Sequence, residues 1–191
     1  MALKLLEDKI LKEGQICEGN ILRVDTFLNH QIDIDLLEKM AEDAKEYFED
    51  TEINKILTIE ASGIAIGAIF AQVFKVPLIF AKKNKAKNLD PNNYVSIVQS
   101  YTYKTEYPVS VAKKLLNEDD KVLLVDDFLA EGNAIYGLID IVEQAGGFVA
   151  GINVAVEKGF QNGGRNLRAD GYKLYSQSII ENFEDGQVIF R

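Results

Sequence analysis

After the apolar run Val122-Leu123-Leu124-Val125 the chain reads Asp126-Asp127-Phe128-Leu129-Ala130-Glu131-Gly132-Asn133-Ala134 and passes straight into a helical pattern. Small residues ahead of a helix aim several backbone N–H groups at one point, and the helix dipole adds partial positive charge there, so this turn suits a phosphate. Two neighbouring carboxylates at a strand end suit a polyhydroxylated or metal-bound ligand, because acids accept hydrogen bonds from sugar hydroxyls and hold Mg²⁺ through water. Capping a helix is the other use of such a pair, and the pair alone does not choose between the two. Single residues say less. Lys158 alone reads as a solvated lysine, Asn29 as a turn residue, His30 as a hydrogen-bonded structural residue, and Cys17 as a small, partly buried hydrophobe.

The elements that must hold these residues follow from periodicity. Leu3, Leu5, Leu6, Ile10 and Leu11 predict a helix over 2–13 that stops at Gly14, and a short strand covers Ile21 to Val24. A second helical pattern starts at Asp33 and runs to about Asp50; Lys55 to Ile59 reads as a buried strand, and Ile64 to Phe74 as a helix apolar on nearly every side. Val76 to Ala81 is strand-like with Pro77 at its start. Tyr94 to Tyr103 and Tyr107 to Ala112 read as two extended arms of a projecting hairpin or flap. Lys121 to Val125 is the strongest strand. A helix over Asn133 to Gln144 stops at Gly146-Gly147, and a strand covers Val149 to Val156. A Gly-rich turn (Gly159, Gly163, Gly164) and weaker strands at Tyr172 to Ser176 and Gln187 to Phe190 complete the chain. Alternating strands and helices predict an α/β fold with a doubly wound, mainly parallel sheet, in which ligands lie beyond the carboxyl ends of the strands.

Taken together, the apolar strand, the acid pair and the small-residue loop at 122–134 resemble the signature by which type I phosphoribosyltransferases hold 5-phosphoribosyl 1-pyrophosphate. Glu60-Ala61-Ser62-Gly63 resembles that family's pyrophosphate loop, with Phe80-Ala81-Lys82-Lys83 after the next strand. Leu22, the run Val24 to Asp33, and Glu157-Lys158-Gly159-Phe160 narrow the resemblance to the bacterial xanthine phosphoribosyltransferases, over essentially the whole chain. The resemblance implies one domain over 1–191: a central mainly parallel sheet flanked by helices, a purine-binding hood from about 15–33 and 157–191, and a flexible flap at about 94–112. It implies transfer of the phosphoribosyl group to xanthine in purine salvage, with Mg²⁺ carried by the donor, in a cytoplasmic homodimer.

The same resemblance assigns Asp126 and Asp127 to catalysis, Ala130, Glu131, Gly132, Asn133 and Ala134 to the 5-phosphate, and Ala61, Ser62, Gly63 and Lys82 to pyrophosphate. Leu22, Asn29 and Lys158 are assigned to the purine, whose apolar floor Phe128 or Phe160 would supply, and Tyr101, Tyr103 and Lys104 stand in the flap. Many relatives that use 6-oxopurines carry an acid where Ala130 stands and hydroxyl residues where Glu131 and Ala134 stand. Ala130 cannot move protons, so deprotonation of the base falls to solvent and the acidity of xanthine, or to another group. Glu131 should point away from a bound phosphate. Two alternatives keep the fold: a preference for guanine, hypoxanthine or adenine, or a ligand-sensing regulator without turnover.

Composition narrows the classes. The 191 residues carry 30 acids against 21 Lys and Arg, a net charge of -9, so non-specific nucleic-acid binding would need a strong basic patch, and Lys82 to Lys87 is the nearest one. One cysteine and one histidine give neither a disulfide nor a Cys/His zinc set. The longest apolar stretch falls short of the ~20 residues of a membrane span, and acids stand near the N-terminus where a signal peptide would be basic, so the expectation is a protein that stays inside the cell. There is no Gly-x-x-x-x-Gly-Lys-Ser/Thr and no Gly-x-Gly-x-x-Gly after a strand, which argues against kinases and dehydrogenases.

Overall fold

The computed structural model describes residues 3–17, 19, 21–83, 90–99 and 106–191. Helix α1 (Lys4–Glu13) and the two-stranded β1 (Gln15–Cys17) and β2 (Ile21–Arg23) precede a π-type helical turn, Asp25–Asn29. Then follow α2 (Ile34–Tyr47), β3 (Lys55–Ile59), α3 (Ser62–Phe74), β4 (Leu78–Lys83), β5 (Asn93–Gln99), β6 (Glu106–Ala112), β7 (Lys121–Leu129) and α4 (Asn133–Gln144). The remaining elements are β8 (Phe148–Lys158), α5 (Gly163–Ala169), β9 (Leu174–Glu184) and β10 (Gln187–Phe190).

Eight strands make one sheet in the order β10-β9-β8-β7-β3-β4-β6-β5. The five inner strands β9-β8-β7-β3-β4 are parallel, and β10, β6 and β5 join antiparallel at the two edges. Burial explains the centre. Val122 to Val125 are all fully buried, because β7 is covered on both faces: Leu123 and Val125 pack with α1, α2 and α3, and Val122 and Leu124 with α4 and the β5–β6 hairpin. Truncating Leu124 to Ala would cost roughly 2–5 kcal/mol.

Local chemistry sets several ends. The Asp33 carboxylate caps α2 by accepting from Leu36 N–H at 3.1 Å, and also meets Lys9 of α1 at 2.8 Å. Lys75 closes α3 in the left-handed region just ahead of Pro77. Among the described residues no helix is long and apolar enough to cross a membrane.

The structure departs from the sequence-based reading in four places. Strand β7 continues through Leu129, so Asp126 and Asp127 lie on the strand rather than in the turn after it. Gly163 and Gly164 open helix α5 where a Gly-rich turn was expected, and β9 runs to Glu184, well past Ser176. His30 is exposed, and no side-chain hydrogen bond holds it among the described residues. The expected hairpin arms pair from Asn93↔Ala112 to Gln99↔Glu106. Tyr101, Tyr103, Lys104 and the whole of the basic run after Lys83 lie outside the described residues.

Candidate active site

The carboxyl ends of β3, β4, β7 and β8 bring the expected residues to one edge of the sheet. Asp126 is only 4% exposed. It accepts from Asp127 N–H at 3.0 Å, and Asp127 in turn accepts from Phe128 N–H at 3.0 Å and from the Asn29 amide at 3.3 Å. Thus the helical turn Asp25–Asn29, 98 residues away in sequence, is fastened to the acid pair. Burial, and then the neighbouring Asp127 charge, push the Asp126 carboxyl well above the usual carboxylate range, against a smaller opposing pull from the Lys83 ammonium. Burial and the Asp126 charge also raise the Tyr107 phenol, and Lys83 Nζ stands 5.4 Å from the centre of the Tyr107 ring.

Lys83 and Tyr107 are therefore neighbours of Asp126 that sequence reasoning missed. Lys83 was read only as part of the run after β4, and Lys82, expected at pyrophosphate, is exposed on β4 beside Ser110. The pleat of β4 separates the two lysines, since successive side chains there point to opposite faces, but which of them faces Asp126 is set by the pairing of β4 with β6.

Beyond Leu129 the chain turns through Ala130, Glu131 and Gly132 into α4. Gly132 has φ +89°, a conformation that favours glycine, and α4 begins without a side-chain cap. Asn133 donates to the Gln99 carbonyl at 3.2 Å, which joins the helix start to the hairpin arm β5. Glu131 and Ala134 are half-buried. Across the sheet edge, Glu60 to Gly63 form the turn from β3 into α3, with a cis peptide between Glu60 and Ala61. The Glu60 carboxylate accepts from Lys83 N–H at 2.5 Å. A Cβ at Gly63 would collide with the buried Thr58 hydroxyl, so glycine lets this turn pack closely on β3, and Asp126 would lie at an ordinary contact distance of 3.6 Å from that Cβ.

The four residues expected at the base share one face. Phe128 pairs with Val156 and packs on the apolar cluster that contains Leu22, Phe27 and Leu28, while Lys158 pairs with Ile180 of the same cluster. Asn29 hangs over that face through its bond to Asp127. Lys158 is half-buried, burial lowers its pKa, and no carboxylate pairs with it among the described residues. Its neighbour Glu157 faces the other way, opposite Leu129. The edge thus combines an acid pair, two turns that open helices, and an apolar face with one amide and, among the described residues, one unpaired ammonium.

Known proteins show the family. Residues 23–186 match the family described as phosphoribosyl transferase domain. The chain is 50% identical over 189 residues to the xanthine phosphoribosyltransferase of Clostridium novyi, covering 99% of this chain and 100% of that protein. Over 190 residues it is 52% identical to xanthine phosphoribosyltransferase 2 of Clostridium botulinum, again with 99% and 100% coverage. Among solved structures it superposes on the adenine phosphoribosyltransferase of Thermoanaerobacter pseudethanolicus with a TM-score of 0.66 at 27% identity, over 77% of this chain and 81% of that one. The APRTase of Giardia lamblia matches with a TM-score of 0.76 at 22% identity, over 95% and 99%, a likeness of fold alone. The chain belongs to the phosphoribosyltransferase family, with the type I fold, and within that family it stands with the xanthine phosphoribosyltransferases.

Proposed function

We propose that the protein transfers the 5-phosphoribosyl group from 5-phosphoribosyl 1-pyrophosphate to xanthine, giving xanthosine 5-phosphate and pyrophosphate in purine salvage. The observation that carries this reading is Lys158: a half-buried ammonium without a carboxylate partner among the described residues, on the face shared by Leu22 and Phe128. An ammonium there donates to oxo groups and favours an acidic, oxygen-rich purine over adenine. Half-identical relatives over full length carry the matching name.

In this reading the reaction displaces pyrophosphate at the anomeric carbon through an oxocarbenium-like transition state. Asp126 and Asp127 accept the ribose hydroxyls. Backbone amides of Ala130 to Ala134 hold the 5-phosphate, those of Ala61 to Gly63 hold the leaving pyrophosphate, and Lys82 adds charge beside it. Leu22 and Phe128 floor the purine, and Asn29 and Lys158 read its edge. With Ala130 in the loop, the base proton leaves to solvent or to a group other than residue 130.

Among the described residues no three His, Cys, Asp or Glu side chains gather as a metal cage. The two acids at the end of β7 fit an ion that arrives on a diphosphate and is reached through water. Bound Mg²⁺ would neutralise the charge of the leaving pyrophosphate. Exposed Leu5, Leu11 and Ile34 on the N-terminal helices support a homodimer, which sedimentation at micromolar concentration checks. A cytoplasmic place follows from the same salvage reading.

Steady-state assays with xanthine, guanine, hypoxanthine and adenine, each with the ribosyl donor and Mg²⁺, test the proposal. Xanthine should have the largest kcat/KM. No nucleotide from any base would overturn the enzyme reading, and a preference for adenine would overturn the role given to Lys158.

A further inference from the structure

Helix α5 touches both ends of the site without lining it. At its start, Gly163 N–H donates to the Ala130 carbonyl at 3.1 Å, and a Cβ at Gly163 would run into that carbonyl and stand 2.7 Å from Gly132 N. The loop assigned to the 5-phosphate therefore rests directly on the Gly163 backbone. A Cβ at Gly164 would strike the Glu157 carboxylate and come within 2.8 Å of Arg168 Nη1. One turn on, Arg168 forks onto Glu157 with bonds of 2.9 and 2.7 Å, and the Ser176 hydroxyl donates to the same carboxylate. Glu157 is 3% exposed and directly precedes Lys158, so this fork fixes the end of β8 that carries the base-side lysine. At the far end of α5 the Asp170 carboxylate accepts from Tyr136 OH at 2.5 Å, and the Tyr136 ring lies 3.3 Å from where a Cβ on Gly132 would stand.

Helix α5 and its C-terminal cap Asp170 thus join three parts: the phosphate loop through Gly163, the first turns of α4 through Asp170 and Tyr136, and the base-side strand through Arg168 and Glu157. We infer that α5 is a splint that fixes the separation between the 5-phosphate loop and Lys158, with Arg168 and Tyr136 as positioning residues. The inference rests on the proposed function for what lies at the two ends. A ligand that spans both ends gains from a preset separation, since its second contact forms at high effective concentration, whereas a ligand that occupies one end gains nothing. Stability alone would not produce that selectivity.

Calorimetric titration of xanthine, ribose 5-phosphate and xanthosine 5-phosphate tests the splint in wild type, Y136F, R168Q and the double variant, with melting curves to confirm folding. The double variant should lose about tenfold or more in affinity for the spanning nucleotide and keep each single-end ligand within about twofold. Y136F, which removes one exposed hydrogen bond, should fold in any case and lose about threefold on the nucleotide alone. Unchanged nucleotide affinity in the folded variants, or an equal loss on ribose 5-phosphate, would overturn the splint. Guanosine and adenosine 5-phosphates run alongside separate the two claims. If wild type binds one of these in place of xanthosine 5-phosphate, the base assignment fails and the splint is read from that nucleotide. A wild type that binds no nucleotide overturns both.

Discussion

Asp126 and Glu157 sit on neighbouring parallel strands, 4% and 3% exposed, and their surroundings treat the charge in opposite ways. Burial works against both carboxylates, but at Glu157 the Arg168 fork and the Ser176 hydroxyl outweigh it and hold the group below the usual carboxylate range. Asp126 accepts a backbone N–H from Asp127, and among the described residues no Lys or Arg reaches ion-pair distance of it. Its carboxyl is correspondingly raised. The fold supplies Glu157 with its partners and leaves Asp126 short of them, which fits the role proposed for Asp126 toward a ligand's hydroxyls.

Substitutions that remove one group at a time test this contrast. The largest effect is expected from Asp127→Asn, which should lower turnover with the ribosyl donor about 10²–10³-fold while leaving the melting temperature nearly unchanged. Wild-type turnover in this variant would mean that the acid pair is structural. Next comes Arg168→Met, which leaves Glu157 buried without its cation. A fully buried pair would lose about 3–5 kcal/mol, but the Arg168 side chain is 39% exposed and screened on that side, so a loss of about 2 kcal/mol in denaturant unfolding is expected.

Stability against pH separates the two acids by sign. Glu157 has a lowered folded pKa, so its contribution is complete above the unfolded carboxyl value of ~4.3 and is lost as pH falls through the folded value. Asp126 has a raised one, so its contribution is present below an unfolded value of ~3.9 and is lost as pH rises through the folded value. Melting curves of Glu157→Gln should therefore converge on wild type in acid, and so should those of Asp126→Asn, the first from below and the second from above. The smallest effect concerns Lys158, whose ammonium burial disfavours. Replacing it with Arg, which stays charged, should move the alkaline limb of kcat/KM for xanthine to higher pH. An unmoved limb would mean that Lys158 does not set it.

The sequence made the centre of the fold legible, because burial on both faces leaves an unbroken apolar run such as Val122 to Val125, and α4 ends at a Gly pair. It also showed which loops resemble a ribosyl-donor site. Helix α5 was hidden because Gly163-Gly164 has poor helix propensity, and what holds it is tertiary: Leu167 is fully buried and Arg168 is tied to Glu157. Lys83 and Tyr107 were hidden for another reason. Which of two adjacent lysines faces Asp126 depends on the pleat of β4 against β6, and spacing along one strand does not contain that register.

Paired measurement of melting temperature and turnover in Asp126→Asn and Glu157→Gln tests the contrast most directly. At neutral pH, Asp126→Asn should melt about 2–4 °C above wild type, since it relieves a buried, under-partnered charge, and Glu157→Gln should melt below it. Turnover should run the other way, with a loss in Asp126→Asn at least about tenfold greater than in Glu157→Gln. Loss of stability in both variants, or wild-type turnover in Asp126→Asn, would contradict the assignment of Asp126 to the substrate.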